Sequence, residues 1–360
     1  MPTRIDCHVH LWDLDTIPSL NAICHHLGFR AMNVVCTGDR RMVNTNPTAL
    51  VAKRHFPERF YAFAALDHSA YYSEGKVAAP SLAAQVDRLM ALGVDGIKML
   101  EAKPTSRKDL DIPVDSPYYA KYFQRVEDVG LPLLWHVADP EEFWDPEKTP
   151  GWARERGWGY NETFVSKEQL YSEVENVLLR YPKLQVIFAH FYFLSADLER
   201  AARLFDRFPG VHFDLAPGIE TLYNMSRDVV ATRRFFTQYA GRILFGTDIN
   251  ADQSPEEAAL RAGIVTRWLE TDEEYRVPEG ADFLLGPAED GIMRGLSLPD
   301  GVLEQVYRGN FERIAGHHPK PLDRPLAAEE CDRIAEEITF FTGMPADDTR
   351  AAAAARCLRR

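Results

Sequence analysis

Five side chains in this sequence could act together on water. His8 and His10 close the run RIDCHVH, His136 lies in LPLLWHV, His190 in QVIFAHF and Asp248 in ILFGTDI. Imidazole suits zinc and its neighbours, and a carboxylate completes an N/O donor set that leaves a position open for water. His8 and His10 are two residues apart. On a strand, residues i and i+2 share a face, so the two rings point the same way, as two arms of a chelate. Cys7, between them, is expected on the opposite face. An HxH pair alone arises often by chance. What carries the inference is the joint pattern, in which each of these runs has a metal-ligand residue type at or next to its C-terminal end.

Positions so far apart meet only if the fold gathers them. Eight short apolar runs recur, each bounded by Gly, Pro or polar residues: Arg4–His10, Ala31–Thr37, Phe60–Leu66, Val94–Leu100, Leu131–Val137, Gln185–Phe191, Val211–Leu215 and Ile243–Ile249. Such runs suit parallel strands buried on both faces. The segments between them carry a helical period. Leu82, Val86, Leu89 and Met90 form one stripe. Tyr119, Tyr122, Phe123 and Val126 form another, with Gly130 as the terminating residue. Ser195 is the expected N-cap of the stripe Leu198, Ala201, Ala202 and Phe205. Ser254-Pro255-Glu256-Glu257 reads as a capping box with Pro in the first turn. A repeat of roughly 30–35 residues is the size of a βα unit, and eight units close into a (β/α)8 TIM barrel. All C-terminal strand ends then meet at one mouth, where barrel active sites lie. An open doubly wound sheet is the alternative, but no Gly-rich phosphate loop follows the first strand.

Two connections are long: Asp139–Lys183 after strand 5, with Trp144, Trp152 and Trp158, and Thr271–Pro299 beyond the helix that follows strand 8. Long loops at a barrel mouth form lids, pocket walls or packed surface excursions. The expected organisation is a catalytic barrel over residues 1–318 and a C-terminal helical extension over 319–360, with helices near Ala327–Phe341 and Asp347–Leu358.

The chain has 360 residues and a net charge of −13. That balance argues against nucleic acid and against an anionic membrane surface. A small-molecule substrate is the expected partner, and self-association stays open. The five cysteines form no CxxC pair and read as reduced, buried hydrophobes. With no signal-like start and no spanning apolar run, the expected location is cytoplasmic.

Taken together, IDCHVHLWD, NPTALVAKRHFPERFYAFAAL, LGVDGIKML, LLWHVADP, VIFAHF, ILFGTDIN and YRGNFERI resemble the amidohydrolase superfamily, in its amidohydrolase-related branch of metal-dependent hydrolases and decarboxylases. The resemblance spans about residues 4–315. It implies that His8, His10, His136 and Asp248 bind one divalent metal. Zinc is favoured, with manganese or another divalent ion as alternatives. It implies that His190 stands over the metal-bound water or the substrate oxyanion, and that Asp248 is also the general base. Many superfamily members carry a carboxylated lysine on strand 4. Lys98 in GIKML is therefore either a bridge between two metals, which is the lesser reading, or a partner for an anionic group.

The implied activity is hydrolysis of an amide, cyclic amide or lactone of a small polar substrate. Non-oxidative decarboxylation of an aromatic or unsaturated acid is the alternative, and a non-catalytic metal-binding protein the remote one. His68 and Asp214 could line the pocket. Asp6 is expected to act as a structural or supporting partner, His212 to be packed, and Asn310 to be structural. His25, His26, His55, His317 and His318 are expected in solvent.

Overall fold

The computed structural model describes residues 3–38, 44–218, 220–278 and 291–360. Nine parallel strands make one sheet: β1 (Arg4–His10), β2 (Phe29–Val35), β3 (Phe60–Ala65), β4 (Gly96–Ala102), β5 (Leu133–Val137), β6 (Val186–Phe188), β7 (Val211–Asp214), β8 (Ile243–Leu244) and β9 (Ile249–Asn250). Their order is β8-β7-β6-β5-β4-β3-β2-β1-β9. The last two strands are the ends of the eighth run expected from sequence. β8 pairs with β7 and β9 with β1, so the broken eighth strand joins both edges and the sheet closes into a (β/α)8 barrel.

Apolar side chains on alternate strand positions explain the layering. Residues such as Met32, Val34, Ile97, Met99, Trp135, Phe188 and Phe213 pack outward under the helices. Ile5, Cys7, Val35, Phe63, Leu134, Ile187 and Leu244 pack on one another inside the ring, with Phe311 among them. Cys7 thus faces inward, contrary to strict alternation. The pairing of β1 with β2 shifts register between Asp6 and Val9, and this irregularity lets Cys7 and His8 both reach the interior.

Local signals explain most helix ends. Ser81 caps helix Leu82–Leu92, and Gly93 ends it in a left-handed conformation with φ 86°. Gly130 ends helix Pro117–Val129 in the same way, with φ 66°. Ser254 and Glu257 form the complete capping box of helix Pro255–Glu270. The helix Leu198–Arg207 is capped by Asp197, which accepts from the Arg200 amide, and not by Ser195. The Ser195 hydroxyl instead accepts from Asn224 Nδ2 at 3.1 Å. Of the segment Thr271–Pro299, residues 279–290 lie outside the described residues. The flanks Glu274–Tyr275 and Met293–Arg294 pair as a small antiparallel ribbon.

Helices Arg324–Thr342 and Arg350–Arg359 pack on each other and on the barrel's outer helices. Ion pairs tie Arg88 to Glu330 and Arg333 to Asp67, the latter at 2.8 Å. Asn310 donates to the carbonyls of Ala240 and Ile243 at 2.6 and 2.7 Å and so anchors the start of β8. No helix among the described residues is long and apolar enough to cross a membrane.

Candidate metal centre

β1 brings His8 and His10 to the mouth. Asp248 lies in the break between β8 and β9, and its amide donates to the His8 carbonyl at 2.9 Å. Its φ is 57°, a left-handed conformation that aspartate tolerates better than most residues. One ligand atom each from His8, His10 and Asp248 falls within 4.8 Å of the others. His10 Nε2 is 3.0 Å from Asp248 Oδ1, and His8 Nε2 is 3.7 Å from it.

The surrounding groups hold these atoms in place. Asp214, buried at the end of β7, lies 2.8 Å from His8 Nδ1. A carboxylate there places the proton on Nδ1 and leaves Nε2 as a lone pair turned toward Asp248, the usual way an imidazole is prepared for a metal. Burial, with Lys98 and neighbouring histidines adding to it, holds His8 well below its ordinary pKa, so the ring is neutral. Burial alone would raise Asp248. The hydrogen bond from His10, the attraction of His10 and the charge of Arg261 outweigh it and hold this carboxyl well below the usual range. Arg261 Nη2 stands 3.3 Å from its other oxygen. Asp6 is fully buried and accepts from the amides of His8 and Thr247 at 3.1 and 3.2 Å. It props the strand end and is pushed up to about 7 by burial.

His190 reaches the mouth by an uncommon route. β6 stops at Phe188, and His190, Phe191, Tyr192 and Phe193 all take left-handed φ values of 50–56°. Such a run costs about 1–2 kcal/mol per residue and needs fixed partners. Asp214 Oδ1 accepts the His190 amide at 2.8 Å, and the Tyr171 hydroxyl donates to the Tyr192 carbonyl at 2.8 Å. The His190 ring lies 5.2 Å from that of His8 and 4.9 Å from that of His136. Its Nδ1 is 3.0 Å from the Ala216 carbonyl, so in the neutral ring Nδ1 carries the proton and Nε2 accepts. Burial lowers His190 to about 4.

His136 faces the same mouth but stands outside the three-residue group. Its Nε2 is 2.9 Å from Asp139 Oδ1 and 3.4 Å from Lys103 Nζ. Burial and Lys103 lower it to about 3. Asp139 also binds Lys103 through both oxygens, at 2.7 and 2.6 Å, and accepts from the Tyr160 hydroxyl. Lys103 and Tyr160 escape a sequence reading because neither belongs to a motif, and Asp139, although it lies in LLWHVADP, carries no signal that pairs it with His136. Asp214, which could have lined the pocket, is a buried support for His8 and His190.

Lys98 lies inside, with Nζ 3.3 Å from His8 Nε2. Burial lowers it to about 8, so a share of the amine is neutral near neutral pH. His68 is not part of this group. It pairs with Glu101 at 2.9 Å and with the Tyr118 hydroxyl at 3.3 Å. His212 is buried, and the other five histidines named above are exposed.

Two imidazoles and an ionised carboxylate, with one ring oriented by a second carboxylate, fit a divalent cation. The amidohydrolase family model matches residues 5–315. The chain belongs to the amidohydrolase family. Members of that family are generally metal-dependent enzymes. The chain is similar in structure to 5-carboxyvanillate decarboxylase from Sphingomonas paucimobilis, with a TM-score of 0.53 and 13% identity over 88% of this chain and 99% of that one. It is also similar to 2,6-dihydroxybenzoate decarboxylase from Rhizobium, with a TM-score of 0.52 and 13% identity over 87% and 98%. An uncharacterised TIM-barrel protein from Bordetella bronchiseptica aligns equally well, with a TM-score of 0.52 and 13% identity over 87% and 98%. At this identity the likeness carries the fold. No curated protein matches the chain.

Proposed function

We propose that the protein is a metal-dependent hydrolase that cleaves an amide, cyclic amide or lactone bond of a small polar substrate. The observation that carries this reading is the convergence of His8, His10 and Asp248 within 4.8 Å. His136 completes the donor set in this reading, through the Nδ1 left unprotonated by its bond to Asp139. A divalent metal, zinc in the first instance, supplies Lewis acidity there and brings the pKa of water down to about 7.

The chain's own groups do the rest. Asp214 fixes the His8 ring. Asp248, ionised at neutral pH, takes the proton from the attacking water and returns it to the leaving group. His190 accepts a hydrogen bond through Nε2, which orients that water. Lys98 holds an anionic group of the substrate.

Decarboxylation is the second reading. Lys98 favours it, because a buried ammonium beside His8 suits a substrate carboxylate. Two proteins of similar fold are also decarboxylases by name.

Metal analysis of the purified wild type beside Asp248→Asn tests the centre. One equivalent of metal in the wild type and clearly less in the variant is expected, and a metal-free wild type overturns both readings. Amides, lactones and carboxylic acids are then assayed for CO2. Release of CO2 without net consumption of water overturns the hydrolase reading in favour of the lyase.

A further inference from the structure

The loops after β5 and β7 hold polar atoms that the metal centre does not use. Glu220 opens the short helix Thr221–Ser226. Both of its carboxylate oxygens are shut off from solvent, and no other described residue hydrogen-bonds them. The same holds for Thr221 Oγ1 and for Glu142 Oε2, the latter from the loop after β5. Buried acceptors without partners are uncommon in folded chains and call for a ligand or solvent donor.

Gly218 allows the Glu220 and Thr221 oxygens to gather. A Cβ there would lie 3.1 Å from Glu220 Oε2, 3.1 Å from Thr221 Oγ1 and 3.6 Å from the Phe193 ring. Gly218 has no left-handed backbone, so close approach, not conformation, asks for glycine. Phe193 links the group to the metal centre, since its ring lies 5.4 Å from that of His190 and 5.5 Å from that of His136. Lys167, the nearby cation, is bound to Glu141 at 3.2 Å. Burial pushes Glu220 up to about 7, and Glu142 adds to the rise.

The chemistry that answers this arrangement is a donor-rich cation. A protonated amine brings three N–H donors and a positive charge, a hydroxyl brings one donor, and a carboxylate brings none. We propose that Glu220, with Thr221, is a specificity-determining subsite beside Phe193 that takes a protonated amine of the substrate. This rests on the reading of the mouth as a metal-dependent active site. It adds that the substrate carries an ammonium group at the end remote from the bond that reacts.

The test uses the zinc-loaded protein and a graded set of ω-amino acids, from β-alanine to 6-aminohexanoate. Each is compared by calorimetric titration with the ω-hydroxy acid of equal length. At least one amino acid is expected to bind about ten-fold tighter than its hydroxy partner, the scale of a charged hydrogen bond. In Glu220→Gln that preference falls to about two-fold or less, with bound metal unchanged. Gly218→Ala, which presses a Cβ against both oxygens, lowers it too and guards against misfolding of the first variant. No preference at any length, or a preference that survives in Glu220→Gln, overturns the proposal. Bound metal reports on the active-site reading separately, so failure of one is distinguishable from failure of the other.

Discussion

Two buried acid–base clusters sit at opposite ends of the barrel and use similar residue types to different ends. At the foot, Asp95 precedes β4. One oxygen accepts from the Lys320 amide at 2.7 Å, and the other accepts from the Ala62 amide at 2.8 Å and from Lys53. Burial pushes Asp95 up and Lys53 down, but each is tied to a fixed partner, and together they lock helix Asn46–His55, β3 and the start of the tail. At the mouth, Asp214 and Asp6 are satisfied in the same manner. His8, His10 and Asp248 instead turn ligand atoms toward one another. Burial and charge do not by themselves mark a site. A site is marked by polar atoms that share one volume with each other.

Breaking each cluster in turn sharpens the contrast. Asp248→Asn at the mouth removes a ligand and the base, and kcat/KM should fall by roughly 10⁴-fold. The metal-free variant should unfold within about 1 kcal/mol of the metal-free wild type, as read by denaturant titration. Asp95→Asn at the foot leaves the Lys53 ammonium buried without its charge partner, and should cost about 3–5 kcal/mol of stability. Turnover per folded molecule should stay within about two-fold of wild type. A stable Asp95→Asn protein with impaired turnover would erase the distinction.

Asp214→Asn tests the support beneath the mouth. Metal affinity should weaken about 10–100-fold in chelator competition.

The smallest effect concerns His212, buried on β7 and held at about 3 by burial and by Arg242 and Arg313. Above its ordinary pKa of about 6.5 both native and unfolded states leave it neutral, so it contributes no pH dependence. As pH falls below that, the unfolded chain takes a proton that the native state refuses, and stability drops until the folded value near 3. His212→Asn should flatten this slope, by about 2 kcal/mol at pH 5, in thermal melts from pH 7.5 to 5.

Much of the fold was legible in the sequence because buried parallel strands are short apolar runs and helix ends carry Ser, Pro and Gly signals. Gly130 and the Ser254 capping box behave as their chemistry dictates. The misses share a cause. His190 and Phe191 read as the end of the strand Gln185–Phe191, and only tertiary packing, with the Asp214 carboxylate holding the His190 amide, turns them left-handed. The eighth strand is continuous in pattern, yet it divides because its two ends pair with different neighbours. At the site, His8, His10 and Asp248 could be gathered from strand ends alone. The partnership of His136 with Asp139, Lys103 and Tyr160 could not, because it depends on how a loop folds back.

The break in the eighth strand carries a mechanical consequence. It is the seam where the ring of strands is stitched shut, and Asp248 lies in the seam while His8 and His10 lie on the strand across it. A cation gripped by all three would work as a clasp. Its release and the loosening of the ring would then be one event, and an ion supplied at about a thousand times its dissociation constant would add about 4 kcal/mol against unfolding. The atom that does the chemistry would also be the one that keeps the hoop closed.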